Sequence, residues 1–221
     1  MQKSRKGIAF DLDGTLLDYK RRYHATFRDT LKQYGICCPD AEVLFRVRRQ
    51  TGSSREALMR IFKKKADVKM DIIDECLEKR EEIIENWKYL KMDRCFSGVK
   101  EALQRLRSQG FILSVITSRV SKKYALKSLQ KEGLSSFFDV VLTRNDSPEK
   151  DFKVYLLKKF IDSFSLSKCF YVGDSIEDIK VGKKARVKII AVLSGVDGRT
   201  LLVKENPDLI LNSVSELPEL E

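Results

Sequence analysis

The chain contains 221 residues, which is enough for one large domain or two modest ones with a buried core. Hydrophobic residues make up 43% and charged residues 34% of it, and no apolar run approaches the roughly 18 residues that suggest a membrane span. The net charge of +11 leaves nucleic acid and small anions open as partners, whereas we expect no membrane partner.

The basic residues are dispersed among acidic ones, and the densest clusters lie at Lys20–Arg22 and Lys63–Lys65. This dispersion predicts a solvated, generally basic surface. A nucleic-acid patch and long-range attraction of a phosphorylated substrate are the alternatives, and we do not favour nucleic acid as the partner.

The five cysteines are odd in number and include no Cys-x-x-Cys pair, and the chain has a single histidine, His24. This composition argues against a zinc site and against a disulfide framework. We therefore expect free thiols in a reducing compartment and predict a cytoplasmic protein.

The first predicted element is a short buried strand, Gly7–Phe10, which runs directly into Asp11. Residues 18–95 then carry apolar side chains at helical spacings, with few glycines or prolines. This pattern predicts a compact insert of about four helices.

From Phe96 onward, apolar runs of strand length alternate with amphipathic helices. The predicted strands span residues 111–116, 138–142, 169–172, 187–193 and 209–211, and the predicted helices span residues 99–109, 122–132, 154–164 and 176–185. The alternation predicts an α/β fold with a doubly wound parallel sheet. It divides the chain into an α/β core domain, residues 1–17 plus 96–221, and a helical domain, residues 18–95.

Ligands of open parallel sheets bind beyond the carboxyl ends of the strands, so the residues at those ends are candidate site residues. Asp11 and Asp13 follow the first strand, and two carboxylates this close repel each other unless a cation lies between them. Mg²⁺ suits such oxygen ligands, and Gly14 would let backbone amides face an anion. For this segment alone, an ordinary Asp-Gly turn is the alternative.

Three further segments bring polar groups to the same edge of the sheet. The second strand ends at Thr117 and Ser118, which could contact phosphate oxygens but are also common caps. Asp174 and Asp178 follow the fourth strand, where helix capping is the alternative interpretation. Lys150, in the loop after the third strand, could neutralise carboxylate and phosphate charge.

The combination is more specific than its parts. Asp-x-Asp-Gly-Thr at residues 11–15, a strand ending in Thr117, a loop lysine and Gly-Asp-Ser-x-x-Asp at residues 173–178 follow in this order, each at a strand end. The pattern resembles the haloacid dehalogenase superfamily over essentially the whole chain. The helical insert resembles the type-one cap of its phosphoglycolate phosphatase-like branch, and residues 48–58 resemble the substrate-specificity loop of that branch.

The resemblance implies a magnesium-dependent phosphatase that acts on a small phosphorylated metabolite, such as phosphoglycolate or a sugar phosphate. Asp11 would be the nucleophile that forms an aspartyl-phosphate. Asp13 would act as general acid and then as general base. Dehalogenating members lack this second Asp, so its presence favours phosphoryl transfer.

The remaining roles also follow from the resemblance. Mg²⁺ would be held by Asp11, the backbone carbonyl of Asp13 and Asp174, with support from Asp178 directly or through water. The phosphoryl oxygens would be held by Thr117, the Ser118 amide and Lys150. Arg49 and Gly52 are the candidate substrate contacts of the cap, and the Gly14 turn completes the phosphate site.

One departure from the family pattern concerns the lysine. The family usually follows its loop lysine with Pro-x-Pro, whereas this chain reads Lys150-Asp151-Phe152-Lys153. We retain Lys150 as the phosphate-site lysine, with Lys153 as the alternative.

Other functions are compatible with the same residues. A phosphomutase of the β-phosphoglucomutase type and an inorganic pyrophosphatase would use the same site. From another class, a basic nucleic-acid-binding protein with a vestigial site is the competing hypothesis. Monomer and dimer are both compatible with the sequence.

Overall fold

A six-stranded parallel sheet forms the centre of the protein, with strand order β5-β4-β1-β6-β7-β8. The structure, a computed structural model, describes residues 5–63, 68 and 70–220. The strands of this sheet are β1 (Lys6–Phe10), β4 (Ile112–Ile116), β5 (Val140–Leu142), β6 (Lys168–Gly173), β7 (Lys188–Val192) and β8 (Leu209–Leu211). The predicted α/β parallel sheet is therefore confirmed.

Strand β1 lies at the centre because its residues after Lys6 are small or apolar and fully covered. It is hydrogen-bonded to β4 on one side and to β6 on the other, with Phe10 opposite Val115 and Val172. The sheet extends in opposite directions from this strand. This is the topological switch point at which open α/β sheets bind ligands.

Alternate side chains of β1 enter two different apolar layers. Ile8 and Phe10 belong to a core cluster that includes Leu103 and Leu129 from helices on one face. Ala9 belongs to a second cluster on the other face, with Leu156. The covering helices are α6 (Val99–Ser108), α7 (Lys122–Lys131), α8 (Phe152–Ser163), α9 (Ile176–Ala185) and α10 (Arg199–Lys204).

The helical cap is inserted between two short strands, β2 (Leu17–Asp18) and β3 (Arg94–Cys95), which pair antiparallel where the chain leaves and re-enters the core. Its helices are α1 (Lys20–Leu31), α2 (Ala41–Thr51), α3 (Ser54–Phe62), α4 (Met70–Ile84) and α5 (Trp87–Leu90). Phe27, Leu44 and Leu58 are fully buried in a core of its own.

The expectation of a solvated basic surface is wrong at Arg22. Its side chain is buried on α1 and paired with acidic residues, although the sequence places it in a cluster of three cations. Lys64 and Lys65 of the second cluster lie outside the described residues. Within the described part of the chain, none of the helices has both the length and the apolar character needed to cross a membrane.

Candidate active site

Three buried carboxylates meet at the carboxyl end of the central strands. Asp11 follows β1, Asp174 follows β6, and Asp178 lies in the first turn of α9. One carboxylate oxygen from each lies within 4.8 Å of the others. The topology makes this meeting necessary, because β1 and β6 are adjacent parallel strands that end at the same edge.

The lysine of this cluster is Lys153, and the prediction of Lys150 needs correction. The Lys153 Nζ atom donates hydrogen bonds of 2.7 Å to Oδ1 of Asp11 and to Oδ1 of Asp178. Helix α8 begins at Phe152, so its first turn directs Lys153 inward, whereas Lys150 precedes the helix and is exposed. Lys150 therefore makes no contact with the carboxylates in this structure.

The charge balance of the cluster fits a divalent cation. If a bound cation keeps all three carboxylates ionised, they and the one ammonium group give the buried site a net charge of −2. Burial raises the pKa of Asp11 to about 7 against the opposing attraction of Lys153. Burial and the neighbouring carboxylate of Asp11 also raise the pKa of Asp174 well above its usual value. An oxygen-rich donor set of this charge is what Mg²⁺ prefers.

Asp178 is ionised and already well satisfied. Its Oδ1 accepts from Lys153 and from the Tyr171 hydroxyl at 2.9 Å, and its Oδ2 accepts from the Ser175 hydroxyl at 2.6 Å. Burial acts to raise the pKa of Asp178, but the attraction of Lys153 outweighs it and the pKa is lowered. Asp178 therefore suits a supporting contact to a cation more than a direct one.

Two hydrogen bonds hold Asp174 in place, and the backbone of two glycines packs against its carboxylate. Its oxygens accept from Thr15 Oγ1 at 3.0 Å and from the Val196 amide at 2.7 Å. A Cβ atom at Gly14 would stand 2.4 Å from Asp174 Oδ2, and one at Gly195 would stand 1.8 Å from it. Glycine is therefore required at both positions to leave room for this carboxylate.

Gly14 was predicted to let backbone amides of the turn face an anion, and its own amide is not available for that contact. The Gly14 amide donates to the Leu17 carbonyl oxygen within the turn, and its own carbonyl accepts from Ser194 Oγ. Its φ of +92° is a left-handed conformation that favours glycine. Gly14 thus shapes the turn that presents Asp11 and Asp13, and its amide is not free for phosphate.

A cleft of about 530 Å³ gives access to the carboxylates. Thr117 and Ser118 line it, as predicted from the end of the second long strand. Thr117 is 1% exposed, and its amide is fixed by the Leu142 carbonyl of the neighbouring strand. The structure therefore brings Asp11, Asp13, Thr117, Ser118, Asp174 and Asp178 to one cleft, together with Lys153.

Asp13 lines the same cleft but is bound to two arginines. Its carboxylate accepts from Arg119 at 2.9 and 2.5 Å, and Arg22 Nη2 lies 2.7 Å from its Oδ1. Burial would raise the pKa of Asp13, yet the attraction of Arg119 and Arg22 lowers it well below its usual value. In this arrangement Asp13 is a carboxylate, the form required of a general base. Neither arginine was predicted as a partner of Asp13, because Arg119 lies 106 positions away along the chain and Arg22 belongs to a run of cations that was expected at the surface.

The cap contributes Arg48 and Gly52 to the cleft, and the prediction for Arg49 is not supported by its position. Arg49 Nη1 donates to the carbonyl oxygens of Leu193 and Gly195 and does not line this cleft. Arg48 does line it, and its Nη1 lies 2.8 Å from Oδ1 of the buried Asp197. Adjacent residues of a helix point in different directions, so Arg48 and Arg49 of α2 reach different places. The sequence does not predict which of them faces the cleft, because helix boundaries predicted from sequence are uncertain by at least one residue.

Fold and site together define a known class of hydrolase. The model of the family described as haloacid dehalogenase-like hydrolase matches residues 8–192, and the chain belongs to that family. This confirms the family predicted from the motifs at the strand ends.

The chain is also similar to individual proteins of known sequence or structure. The chain is 27% identical to a phosphoglycolate phosphatase of Vibrio parahaemolyticus over 99% of this chain and 97% of that protein. It is 25% identical to the pyrophosphatase PpaX of Halalkalibacterium halodurans over 96% and 95%, respectively. A crystal structure from Haemophilus somnus 129PT, named as a predicted phosphoglycolate phosphatase, superposes with a TM-score of 0.75 at 21% identity and covers 98% of this chain and 97% of that one. The sequence relatives support the predicted class of enzyme, a phosphoric monoester hydrolase.

Proposed function

We propose that this hydrolase is a phosphatase for small phosphate esters and that Asp11 is its nucleophile. The observation that carries the proposal is the position of Asp11 at the cleft, with Lys153 2.7 Å from its Oδ1 and Thr117 and Ser118 beside it. A carboxylate, an ammonium group and hydroxyl or amide donors around one opening suit a tetrahedral anion. The two curated relatives are named for activities on phosphate compounds.

The reaction divides into two displacements. A carboxylate oxygen of Asp11 bonds to phosphorus while the ester P–O bond breaks. Asp13 is ionised between Arg22 and Arg119, so it first takes up a proton from solvent through the cleft and then gives that proton to the departing oxygen. Asp13 then takes a proton from a water molecule that attacks phosphorus, which releases phosphate and regenerates Asp11. Lys153, Thr117 and the Ser118 amide hold the phosphoryl oxygens in both steps.

A metal ion belongs to this proposal because the carboxylate cluster fits one. Mg²⁺ would be held by Asp11, the carbonyl of Asp13 and Asp174, with Asp178 in support. Bound there, it would supply positive charge against the charge of the transferring phosphoryl group. The buried net charge of the cluster supports this assignment.

The ester that we favour as substrate is phosphoglycolate, and pyrophosphate, a phosphoanhydride that the same site could cleave, is the second candidate; the relatives are named for these two compounds. Each carries a second anionic group, and the side chains of Arg48 and Lys180 line the cleft with positive charge. The five cysteines are free, which suits a reducing compartment, and we propose a cytoplasmic location on that basis.

Phosphate release measured across a panel tests the proposal. The panel contains phosphoglycolate, pyrophosphate, sugar phosphates and para-nitrophenyl phosphate, each with Mg²⁺ and with a chelator. We expect Mg²⁺-dependent release and at least about 10³-fold slower turnover in Asp11→Asn, because the amide cannot act as the nucleophile. Substantial turnover by Asp11→Asn would refute the nucleophile assignment. Conversion of a sugar phosphate without phosphate release would indicate a mutase.

A further inference from the structure

Three buried charged side chains, Arg22, Asp93 and Arg119, lie behind Asp13 and do not line the cleft. Asp93, in the loop between α5 and β3, is 1% exposed. Its Oδ1 accepts from Arg22 Nε at 3.0 Å, and its Oδ2 accepts from Arg119 Nη2 at 2.7 Å. Asp13 contacts the same two arginines from the other side. We call these four residues, Asp13, Arg22, Asp93 and Arg119, the Asp93 network.

The signs of charge alternate around this network. Two guanidinium groups and two carboxylates sum to zero charge when all four are ionised. Buried charges are tolerated when they are paired in this way, and the removal of one partner leaves an uncompensated charge. Without Asp93, two buried arginines would share the single carboxylate of Asp13.

Asp13 is the member of the network that reaches the substrate. Its side chain is 22% exposed, whereas those of Arg22, Asp93 and Arg119 are 2–3% exposed. Asp13 lines the cleft, and the other three do not. Asp93 and the arginines can therefore influence the reaction only through Asp13.

The two arginines hold Asp13 in different ways. Arg119 forms a two-pronged contact with both carboxylate oxygens and is itself fixed by a hydrogen bond of 2.8 Å from its Nη1 to Ser128 Oγ. Among the described residues, Arg22 Nη2 is the one buried side-chain nitrogen or oxygen without a hydrogen-bond partner, although it lies 2.7 Å from Asp13 Oδ1. This contact is electrostatic without hydrogen-bond alignment, so the orientation of Arg22 depends on its aligned bond to Asp93.

We propose that Asp93 is a positioning residue for Asp13. Through Arg22 and Arg119 it fixes where the Asp13 carboxyl group stands relative to the ester oxygen of the substrate. The inference rests on the proposed function, in which Asp13 protonates the leaving group. Asp93 lies next to the strand by which the chain re-enters the core, and Arg22 lies on the first cap helix, so the network also joins both cap connections to Asp13.

The leaving group gives a readout that a purely structural role would not change. Acidic phenols depart as anions without a proton, whereas weakly acidic phenols and alcohols need Asp13. The experiment measures kcat/KM with Mg²⁺ for a series of ring-substituted phenyl phosphates of graded phenol acidity. It compares the wild-type enzyme, Asp93→Asn, and Asp139→Asn as a control. Asp139 also pairs with an arginine, Arg107, but on the periphery of the core.

We expect Asp93→Asn to lose at least about 10-fold in kcat/KM on the ester with the least acidic phenol, and less than about 3-fold on para-nitrophenyl phosphate. Asp139→Asn should keep the wild-type dependence on the leaving group. An equal loss on every ester, or no loss, in folded Asp93→Asn would overturn the positioning role. If the wild-type enzyme released phosphate from none of these esters and from no compound of the panel above, the proposed function itself would fail, and with it this inference.

A second pair of variants keeps the test decisive if Asp93→Asn does not fold. Arg22→Met removes one arm of the network, and Arg22→Lys keeps the charge on that arm. We expect a leaving-group dependence steeper than wild type in Arg22→Met and intermediate in Arg22→Lys. If both variants retain the wild-type dependence, Asp93 has no route to Asp13 through Arg22 and the proposal is overturned.

Discussion

Lys153 supplies the positive charge within the carboxylate cluster of the candidate site. It contacts both Asp11 and Asp178, and it is buried with them. Attraction to Asp11 and Asp178 outweighs the burial that would lower its pKa, and the pKa stands well above its usual value. Lys153 is therefore protonated throughout the working pH range and can serve as a fixed positive charge.

Replacement of this lysine gives the residue-scale prediction. Lys153→Met should lower kcat/KM for phosphate esters by about 10²-fold or more, because preorganised charge at a reacting phosphoryl group is lost. Lys150→Met is the matched control and should remain within about 3-fold of wild type, since Lys150 is exposed and apart from the carboxylates. The reverse order of effects in a phosphate-release assay would restore the assignment of Lys150.

The sequence alone could not decide between Lys150 and Lys153, because the start of α8 is not clearly marked. Helix α8 has Asp151 at its N-cap position, but no side-chain hydrogen bond caps it, so no clear signal marks the first helical residue. A shift of the boundary by a few residues changes which lysine faces the sheet. In contrast, Asp11 and Asp174 directly follow apolar strands, and their meeting follows from the order of parallel strands.

At the scale of elements, the long strands and most of the core helices were predictable because each has a clear apolar pattern. The two-residue strands β2 and β3 were not, since two residues carry no period. The Asp93 network could not be predicted from the sequence either, because Asp93 lies 71 positions from Arg22 and 26 positions from Arg119 along the chain. Such pairings depend on how the cap returns to the core, which local patterns do not encode.

The junction between the cap and α7 provides a prediction for an element. Glu85, just after α4, accepts from the amides of Val120 and Ser121 at 2.6 and 3.0 Å, at the start of α7. A carboxylate at this helix end satisfies unpaired amides and interacts favourably with the helix dipole. Trp87 stacks on Tyr124 beside this contact.

We expect Glu85→Ala to lower the free energy of unfolding by about 1–2 kcal/mol, because two hydrogen bonds from backbone amides and a favourable contact with the helix dipole are lost. Urea denaturation with a single probe of tertiary structure would measure it. Glu82→Ala, at an exposed position near the end of α4, is the matched control and should leave the unfolding midpoint unchanged. Equal effects of the two substitutions would mean that α7 does not depend on Glu85.

For the whole molecule, the buried carboxylates predict an unusual dependence of stability on pH. Burial raises the pKa of Asp11 from 3.8 to about 7, and the pKa values of Asp93 and Asp174 are also raised, that of Asp93 to about 6. A carboxyl group whose pKa is higher in the folded than in the unfolded state stabilises the fold below the unfolded pKa. That contribution is lost as the pH rises through the folded pKa. Asp13 and Asp178 have lowered pKa values, so their contributions change only below about pH 4.

The metal-free protein should therefore lose stability between about pH 5 and pH 8. Mg²⁺ compensates the ionised carboxylates and competes with protons for them, so saturating Mg²⁺ should raise Tm more at pH 8 than at pH 5. Thermal unfolding at both pH values, with Mg²⁺ and with a chelator, measures the difference. Asp174→Asn should abolish most of the Mg²⁺ effect at pH 8. An increase in Tm that is the same at both pH values, or that survives in this variant, would show that the ion stabilises the protein somewhere other than the carboxylate cluster.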